Sequence, residues 1–419
     1  MDKLYIQGGC RLAGDVTVHG AKNSALPLLV ATLLDGGESV LHNCPPLSDV
    51  AATVSILQHL GCAVTREGET VTVDPSPLCR ADIPDHLMRE MRSSILFLGA
   101  IIARCGEATL TYPGGCELGP RPIDLHLAAL KRLGVTIEEQ HGHIRCRVDK
   151  GLHGADITLA FPSVGATENV LLAACMADGV TVLRNAAREP EIDDLCAYLN
   201  ARGASITRQA EGVLYIRGVP RLHGCTYRVL PDRIEAATYL AAAAATAGRV
   251  TLHGCCPSHL AAVFPVLEEA GCMLGSGTDT VTLTAPPRLR RLGTVHTVPY
   301  PGFPTDGAAP LLAAACTARG ASVFVEGIFE NRYKYVDELA RMGARIRVNG
   351  RVAVVDGVPR LQGASVTCTD LRGGAALVVA ALGAEGETVI SGLQHLDRGY
   401  ACLPACLCRL GASLRRVTL

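Results

Sequence analysis

Tryptophan does not occur in this chain, and Tyr and Phe together bring the aromatic share to only 4% of 419 residues. Stable protein interfaces lean on buried aromatic anchors, so a scaffold built for protein recognition is disfavoured. Neither sign of charge dominates: 39 Lys and Arg stand against 40 Asp and Glu, a formal net charge of −1. That balance lacks the basic excess of a nucleic-acid binder, and any anionic ligand has to be held by a local cluster of cations. The longest apolar run, 236–247, is rich in Ala and Thr and too short to cross a bilayer, so membrane insertion is not expected. The opening residues, Met1-Asp2-Lys3-Leu4-Tyr5-Ile6, lack the charged-then-apolar layout of an export signal. A cytoplasmic location with reduced thiols is the expectation.

What is plentiful is small or turn-forming: 44 Gly, 23 Pro and 18 Cys, in a chain that is 48% hydrophobic. This describes a turn-rich globular protein, and its length exceeds the size at which one core stops growing, so two domains are expected. The cysteines are scattered singly, many in helix-like apolar patterns as at Cys175, Cys316 and Cys402, and most read as small core hydrophobes. Cys255-Cys256 and Cys406-Leu407-Cys408 lack the spacing of a zinc site. No metal and no cofactor is expected. Nothing in the sequence sets an oligomeric state, and a monomer is compatible with it.

One stretch departs from this background. Residues 111–126 contain three Gly and three Pro and cannot form a regular helix or central strand. At the tip of this loop stands Cys116, five residues before Arg121, and Asp124-Leu125-His126 reads as the start of the next helix. A thiol on a Gly-flanked tip near a cation is the setting that lowers a cysteine pKa. Taken alone, Cys116 is either such a reactive thiol or an incidental surface residue.

The chain repeats itself. A Leu-x-x-x-Gly-x-x-apolar motif recurs six times around Gly61, Gly134, Gly203, Gly271, Gly343 and Gly411, at intervals of 73, 69, 68, 72 and 68 residues. Each copy reads as a helix end, a Gly in the left-handed position and a strand start. A second sixfold motif begins at Gly37, Gly106, Gly179, Gly248, Gly320 and Gly386, marking an earlier helix end and its following strand. Units of roughly 70 residues therefore run strand, helix, strand, helix, then one or two strands, three to a domain. Ala-rich first helices such as 236–245 and 308–316 are small on every face and belong inside, ringed by sheets.

The fronts of these inner helices carry Ser, Thr, Asp and Asn, which are ordinary N-caps. They also carry Lys22, Arg92, Arg233 and Arg372, and a cation at a helix N-terminus opposes the dipole unless an anion is present. The expected ligand is a multiply charged anion, phosphate plus carboxylate. Asp306, aimed by the irregular lead-in 299–307, is positioned as a base, and Cys116 as an acid or nucleophile.

Several ordered motifs carry a resemblance over the whole chain: Gly20-Ala-Lys-Asn-Ser24, Pro113-Gly-Gly-Cys116, Gly119-Pro-Arg-Pro-Ile-Asp-Leu-His126, Pro162-Ser-Val-Gly-Ala-Thr167, Pro301-Gly-Phe-Pro-Thr-Asp306, Glu330-Asn-Arg332, Asp370-Leu-Arg372 and Asp397-Arg-Gly-Tyr400. On them the sequence resembles the enolpyruvyl transferase family, specifically the UDP-N-acetylglucosamine 1-carboxyvinyltransferases of peptidoglycan precursor synthesis. The resemblance implies an α/β fold: a two-domain inside-out barrel of six βαβαββ-type repeats, three per domain, with the active site in the interdomain cleft. It also implies that the first twenty or so residues belong with the C-terminal half, giving one domain of 21–229 and another of 1–20 plus 230–419. The implied substrates are phosphoenolpyruvate and UDP-N-acetylglucosamine.

Carried over position by position, the resemblance assigns Lys22 and Arg398 to phosphoenolpyruvate, with Arg121 between the two substrates. It places Asn23, Arg92, Arg121, Pro122, Ile123, Asp124, Leu125, Ser163, Val164, Gly165, Thr305, Asp306 and Ile328 against the UDP-sugar, and has Arg332, Asp370 and Arg372 support the closed site. Cys116, Asp306, Lys22 and Arg398 are the implied catalytic set, and Cys116 is also the site of a phosphoenolpyruvate adduct. Phe161 departs from members that place a lysine there to touch the diphosphate. The 3-phosphoshikimate enolpyruvyl transferases are the alternative; they share the fold but lack the Pro-Gly-Gly-Cys loop.

Overall fold

A computed structural model describes residues 2–34, 36–114 and 123–418. Two compact units divide them: 20–114 with 123–230, and 2–19 with 231–418. Each is made of three copies of one supersecondary pattern. In the copy that runs from Asp156 to Arg217, strand Asp156–Thr158 leads into helix Val164–Ala174 and strand Val180–Arg184. Helix Pro190–Ala201 and the hairpin Ser205–Ala210 and Val213–Arg217 follow. The first strand lies parallel to Val180–Arg184, which pairs antiparallel with the hairpin. Five such four-stranded sheets occur among the described residues. The sixth has three strands, with only an isolated Asp82–Thr109 bridge in the fourth place.

The repeat motif has a backbone cause. All six of its glycines are left-handed, with φ of 105°, 96°, 98°, 97°, 91° and 92° in chain order. Glycine reaches that region without the Cβ clash that stops other residues, so each outer helix ends there and the chain turns into its hairpin. At Gly61 space also matters, since a Cβ would lie 2.8 Å from the Cys79 sulfur, whereas at Gly343 nothing is near and only the dihedral selects glycine. The second motif is less uniform than expected. Gly106, Gly179, Gly320 and Gly386 have positive φ, but Gly36 and Ala247 take that role in place of Gly37 and Gly248. Gly248 is required for a different reason, because a Cβ there would sit 2.5 Å from the Leu12 carbonyl oxygen.

The inner helices are Lys22–Ala31, Phe97–Cys105 and Val164–Ala174 in one unit, and Arg233–Ala245, Thr305–Ala315 and Leu371–Gly383 in the other. Helix Arg233–Ala245 is buried from Ile234 through Ala244, which its run of alanines permits because small side chains allow close helix approach on all sides. Strand Lys3–Gln7 lies between Glu387–Ser391 and Ser413–Val417, and Ala13–Thr17 pairs in parallel with Arg249–His253. The N-terminal strands are thus hydrogen-bonded into the unit that contains the C-terminal half. At the crossing into the other unit, Ala21 donates its amide to Leu230 and the Asn43 side chain to the Val229 carbonyl.

Cys175 and Cys316 are fully buried, as expected of core cysteines, but Cys402 is exposed. It stands at φ 51° ahead of Leu403-Pro404, outside the short helix Leu403–Arg409, so the apolar pattern there does not continue through it.

Candidate active site

In the unit of residues 2–19 and 231–418, the chemistry centres on Asp306. Helix Thr305–Ala315 starts one residue earlier, so the carboxylate projects from its first turn, where negative charge suits the dipole. Arg332 Nη2 donates to one oxygen at 2.7 Å and Arg372 Nη2 to the other at 2.9 Å. Both arginine side chains are 3% exposed and Asp306 is 27% exposed. Burial alone would raise the Asp306 pKa, but the Arg372 and Arg332 guanidiniums outweigh it and hold the carboxyl well below the usual range. Asp306 is an ionised carboxylate with a guanidinium on each oxygen, and in this arrangement it is a weak base. Among the described residues, Arg332 Nε and Arg372 Nε and Nη1 are buried with no hydrogen-bond acceptor. Such buried donors are costly to leave unpaired.

A carboxylate that the sequence did not single out organises the rest of this side. Glu326, 2% exposed at the end of strand Ala321–Glu326, accepts the Thr305 hydroxyl at 2.8 Å and the amides of Ile328 at 2.8 Å and Phe329 at 3.0 Å. One side chain therefore fixes Thr305 and Ile328 together. Asp370 caps helix Leu371–Gly383, accepting from the Arg372 and Gly373 amides, and so fixes the backbone from which Arg372 projects. The Arg372 guanidinium also lies over the Tyr400 ring at 5.3 Å. Arg398 ends a short 3₁₀ turn, Leu396–Arg398, and is half-buried.

In the other unit Lys22 opens helix Lys22–Ala31, buried, with its ammonium 2.7 Å from Asp49. Asn23 follows, half-buried. The expected anion at a basic helix start is met at two positions by a carboxylate of the protein itself: Asp49 for Lys22, and Asp306 for Arg372. At a third, Arg233 lies over the Tyr300 ring at 5.5 Å. Arg92 does not begin an α-helix as the sequence pattern implied. It opens a 3₁₀ turn, Arg92–Leu96, which feeds helix Phe97–Cys105. Ile123 is buried immediately before helix Asp124–Arg132, leaving Asp124 exposed and Leu125 half-buried in the first turn. Ser163 caps helix Val164–Ala174 through the Ala166 amide at 3.4 Å, and Val164 and Gly165 follow half-buried. Phe161 is 41% exposed.

Cys116, Arg121 and Pro122 lie outside the described residues. The segment leading to them is held: Tyr112 donates to Glu139, the Gly114 amide donates to the Met88 carbonyl, and a Cβ on Gly114 would fall 2.6 Å from Arg89. Sequence reasoning passed over Asp49, Glu326 and His126. Asp49 reads as an ordinary first-turn acid of helix Ser48–Leu60, and Glu326 as a strand end. Their partners are distant in sequence or on the backbone, where no spacing rule reaches.

The sequence matches the family profile described as EPSP synthase (3-phosphoshikimate 1-carboxyvinyltransferase) over residues 6–407. In structure the chain is similar to the enolpyruvyl transferase NikO from Streptomyces tendae, with a TM-score of 0.90 and 28% identity over 100% of this chain and 99% of that one. An EPSP synthase from Acinetobacter baumannii shares the fold at a TM-score of 0.76 and 19% identity, with both chains covered completely. The family match over nearly the whole chain, on this fold, makes the chain a carboxyvinyl (enolpyruvyl) transferase. A relative named UDP-N-acetylglucosamine 1-carboxyvinyltransferase 2, from Caldanaerobacter subterraneus subsp. tengcongensis, is 51% identical over the full length of both chains. UDP-N-acetylglucosamine 1-carboxyvinyltransferase 1 of Symbiobacterium thermophilum is 50% identical over 99% of this chain and 95% of its own. The chain belongs to the UDP-N-acetylglucosamine 1-carboxyvinyltransferases within the EPSP synthase family.

Proposed function

We propose that this chain transfers the enolpyruvyl group of phosphoenolpyruvate to the 3-hydroxyl of UDP-N-acetylglucosamine, releasing phosphate. Full-length identity of 51% to a relative of that name carries the substrate assignment. The 3-phosphoshikimate alternative rests on the shared fold, where identity falls to 19%.

In this reading the Cys116 thiol gives its proton to the methylene carbon of phosphoenolpyruvate while the sugar 3-oxygen attacks the adjacent carbon, and the hydroxyl proton passes to Asp306. The product of addition is a tetrahedral phospho-ketal. Loss of phosphate, which carries off the proton held by Asp306 while a proton of the new methyl group returns to the Cys116 thiolate, restores the double bond as an enolpyruvyl ether. Lys22, Arg121 and Arg398 offset phosphate charge, and Asn23, Ile123, Asp124, Leu125, Ser163 and Ile328 hold the nucleotide sugar. The low pKa of Asp306 imposes a condition on this scheme. A carboxylate held by two guanidiniums cannot take a proton readily, so Arg332 and Arg372 have to transfer part of their pairing to the substrate's anionic groups first. Their unfilled Nε and Nη1 donors support that exchange. Cys116 also forms a covalent adduct with phosphoenolpyruvate, the position at which fosfomycin alkylates.

The enzyme acts in the cytoplasm on the first committed precursor of peptidoglycan, and through it on cell-wall growth, cell shape, the cell cycle and division. The test is phosphate release from phosphoenolpyruvate. Release with UDP-N-acetylglucosamine and none with 3-phosphoshikimate is expected. Release with the shikimate alone would establish the alternative, and release with neither a non-catalytic sugar-nucleotide scaffold.

A further inference from the structure

His126 is buried at 7% exposure in the first turn of helix Asp124–Arg132, between two residues assigned to the nucleotide sugar and the rest of the core. Its surroundings fix its chemical form. The Asn169 side chain cannot be turned around, because its oxygen accepts the Gly99 amide at 2.7 Å and its nitrogen donates to the Ile95 carbonyl at 3.1 Å. The second hydrogen of that same nitrogen faces His126 Nδ1 at 2.7 Å. Nδ1 must therefore be an acceptor, which puts the ring proton on Nε2 and leaves the imidazole uncharged. Burial, and then the Arg92 guanidinium, hold its pKa down to about 4. The ring also presses on the next element: a Cβ on Gly165 would lie 3.0 Å from His126 Cε1 and 3.3 Å from Nε2.

These contacts join four pieces of chain. Gly99 belongs to helix Phe97–Cys105, Ile95 to the 3₁₀ turn Arg92–Leu96, His126 to helix Asp124–Arg132, and Asn169 and Gly165 to helix Val164–Ala174. Three of them begin with residues assigned to the nucleotide sugar. We infer that His126 is a positioning residue: its Nδ1 acceptor, paired with Asn169, locks the starts of these elements so that Arg92, Asp124 and Gly165 keep one mutual geometry for the nucleotide-sugar diphosphate. The inference rests on the substrate reading above. Because Arg92, Asp124 and Gly165 are assigned to the nucleotide sugar, and Lys22 and Arg398 to phosphoenolpyruvate, loss of the knot acts first on the nucleotide sugar. A merely structural role would lower stability without that asymmetry.

The experiment compares the full-length parent with His126→Leu, His126→Asn and Gly165→Ala, using steady-state phosphate release, calorimetric binding of UDP-N-acetylglucosamine, and thermal melting. Asn keeps an oxygen near the Nδ1 position and Leu does not. His126→Leu is expected to raise KM and Kd for UDP-N-acetylglucosamine at least tenfold and to leave KM for phosphoenolpyruvate within twofold, with His126→Asn recovering most of the loss. Gly165→Ala crowds the ring by a few tenths of an ångström and is expected to shift the same constants, but Gly165 is itself assigned to the sugar, so if the Leu variant does not fold the tautomer measurement below decides. Equal changes for both substrates, or an Asn variant no better than Leu, overturn the inference. ¹⁵N chemical shifts of the labelled parent test it independently of any substrate: a neutral Nε2–H imidazole at pH 7 supports it, and an Nδ1–H tautomer or an imidazolium refutes it. A parent that releases no phosphate with UDP-N-acetylglucosamine refutes the substrate reading instead, and the tautomer measurement still decides the knot.

Discussion

Replacing Asp306 by Ala strikes stability and chemistry through different groups, and the two effects can be sized separately. Its carboxylate makes ion pairs of 2.7 and 2.9 Å to guanidiniums that are 3% exposed. Removing one partner of a buried pair costs about 3–5 kcal/mol, because a desolvated charge is left without compensation. Asp306 itself is 27% exposed, so water can reach part of the gap and the lower end, about 3 kcal/mol, applies. For a cooperative unit of some 200 residues that corresponds to a melting temperature lower by roughly 6–12 °C. Turnover should fall on the order of 100- to 10,000-fold if the carboxylate receives the hydroxyl proton. Asp306→Asn keeps the volume and one acceptor but not the charge, and is expected to lose turnover to a similar degree. Calorimetric melting and phosphate release read the two quantities. Near-normal turnover in either variant would remove Asp306 from the chemistry, and an unchanged melting temperature in the Ala variant would show that the arginines do not depend on it.

Further outcomes follow from groups outside that cluster. Burial, then Glu191 and Glu189, raises the Glu168 pKa from 4.5 to about 8. The folded carboxyl keeps a proton that the unfolded one loses, so its stabilising contribution is complete below about pH 4.5 and is lost as pH rises through about 8. Glu168→Gln has no proton to lose, and its melting temperature should gain on the parent from pH 5 to about 8 and level off above that; parallel curves would refute this. Arg202, wholly buried, donates to the Ala31 carbonyl, to Leu34 O at 2.7 Å and to His223 O at 3.0 Å. Arg202→Met leaves the Leu34 and His223 carbonyls without a donor, while Ala31 O keeps the Leu34 amide, and should cost about 3–5 kcal/mol; Arg202→Lys should not rescue it, since one ammonium cannot reproduce the planar fork. A Met variant melting within 2 °C of the parent would contradict that. Cys116→Asp is expected to retain turnover and escape fosfomycin, and equal inactivation of variant and parent would end the case for the thiol.

The repeat was legible because backbone conformation writes itself into sequence locally. Six glycines at near-constant spacing are six left-handed helix exits, and no tertiary contact is needed to read them. Where the local rule gave way, a long-range contact was responsible: Gly248 is glycine because the Leu12 carbonyl approaches it, 236 positions away in sequence, and Ala247 turns the chain in its place. Motif order similarly sufficed for the family, since each motif carries its own residues.

The same local reading named Lys22, Asp306 and Arg372, and the resemblance Arg332, but not the state of any of them. Lys22 was a cation awaiting an anion until Asp49 appeared beside it, and Asp306 a base until two arginines closed on its oxygens. What the sequence by itself determined here is the set of chemical groups and the periodic backbone that carries them, because both depend on residues a few positions apart. What only the tertiary structure decided is which group is charged, paired or aimed, because those properties depend on neighbours tens of residues away: Asn169 on His126, Glu326 on Thr305, Arg372 on Asp306.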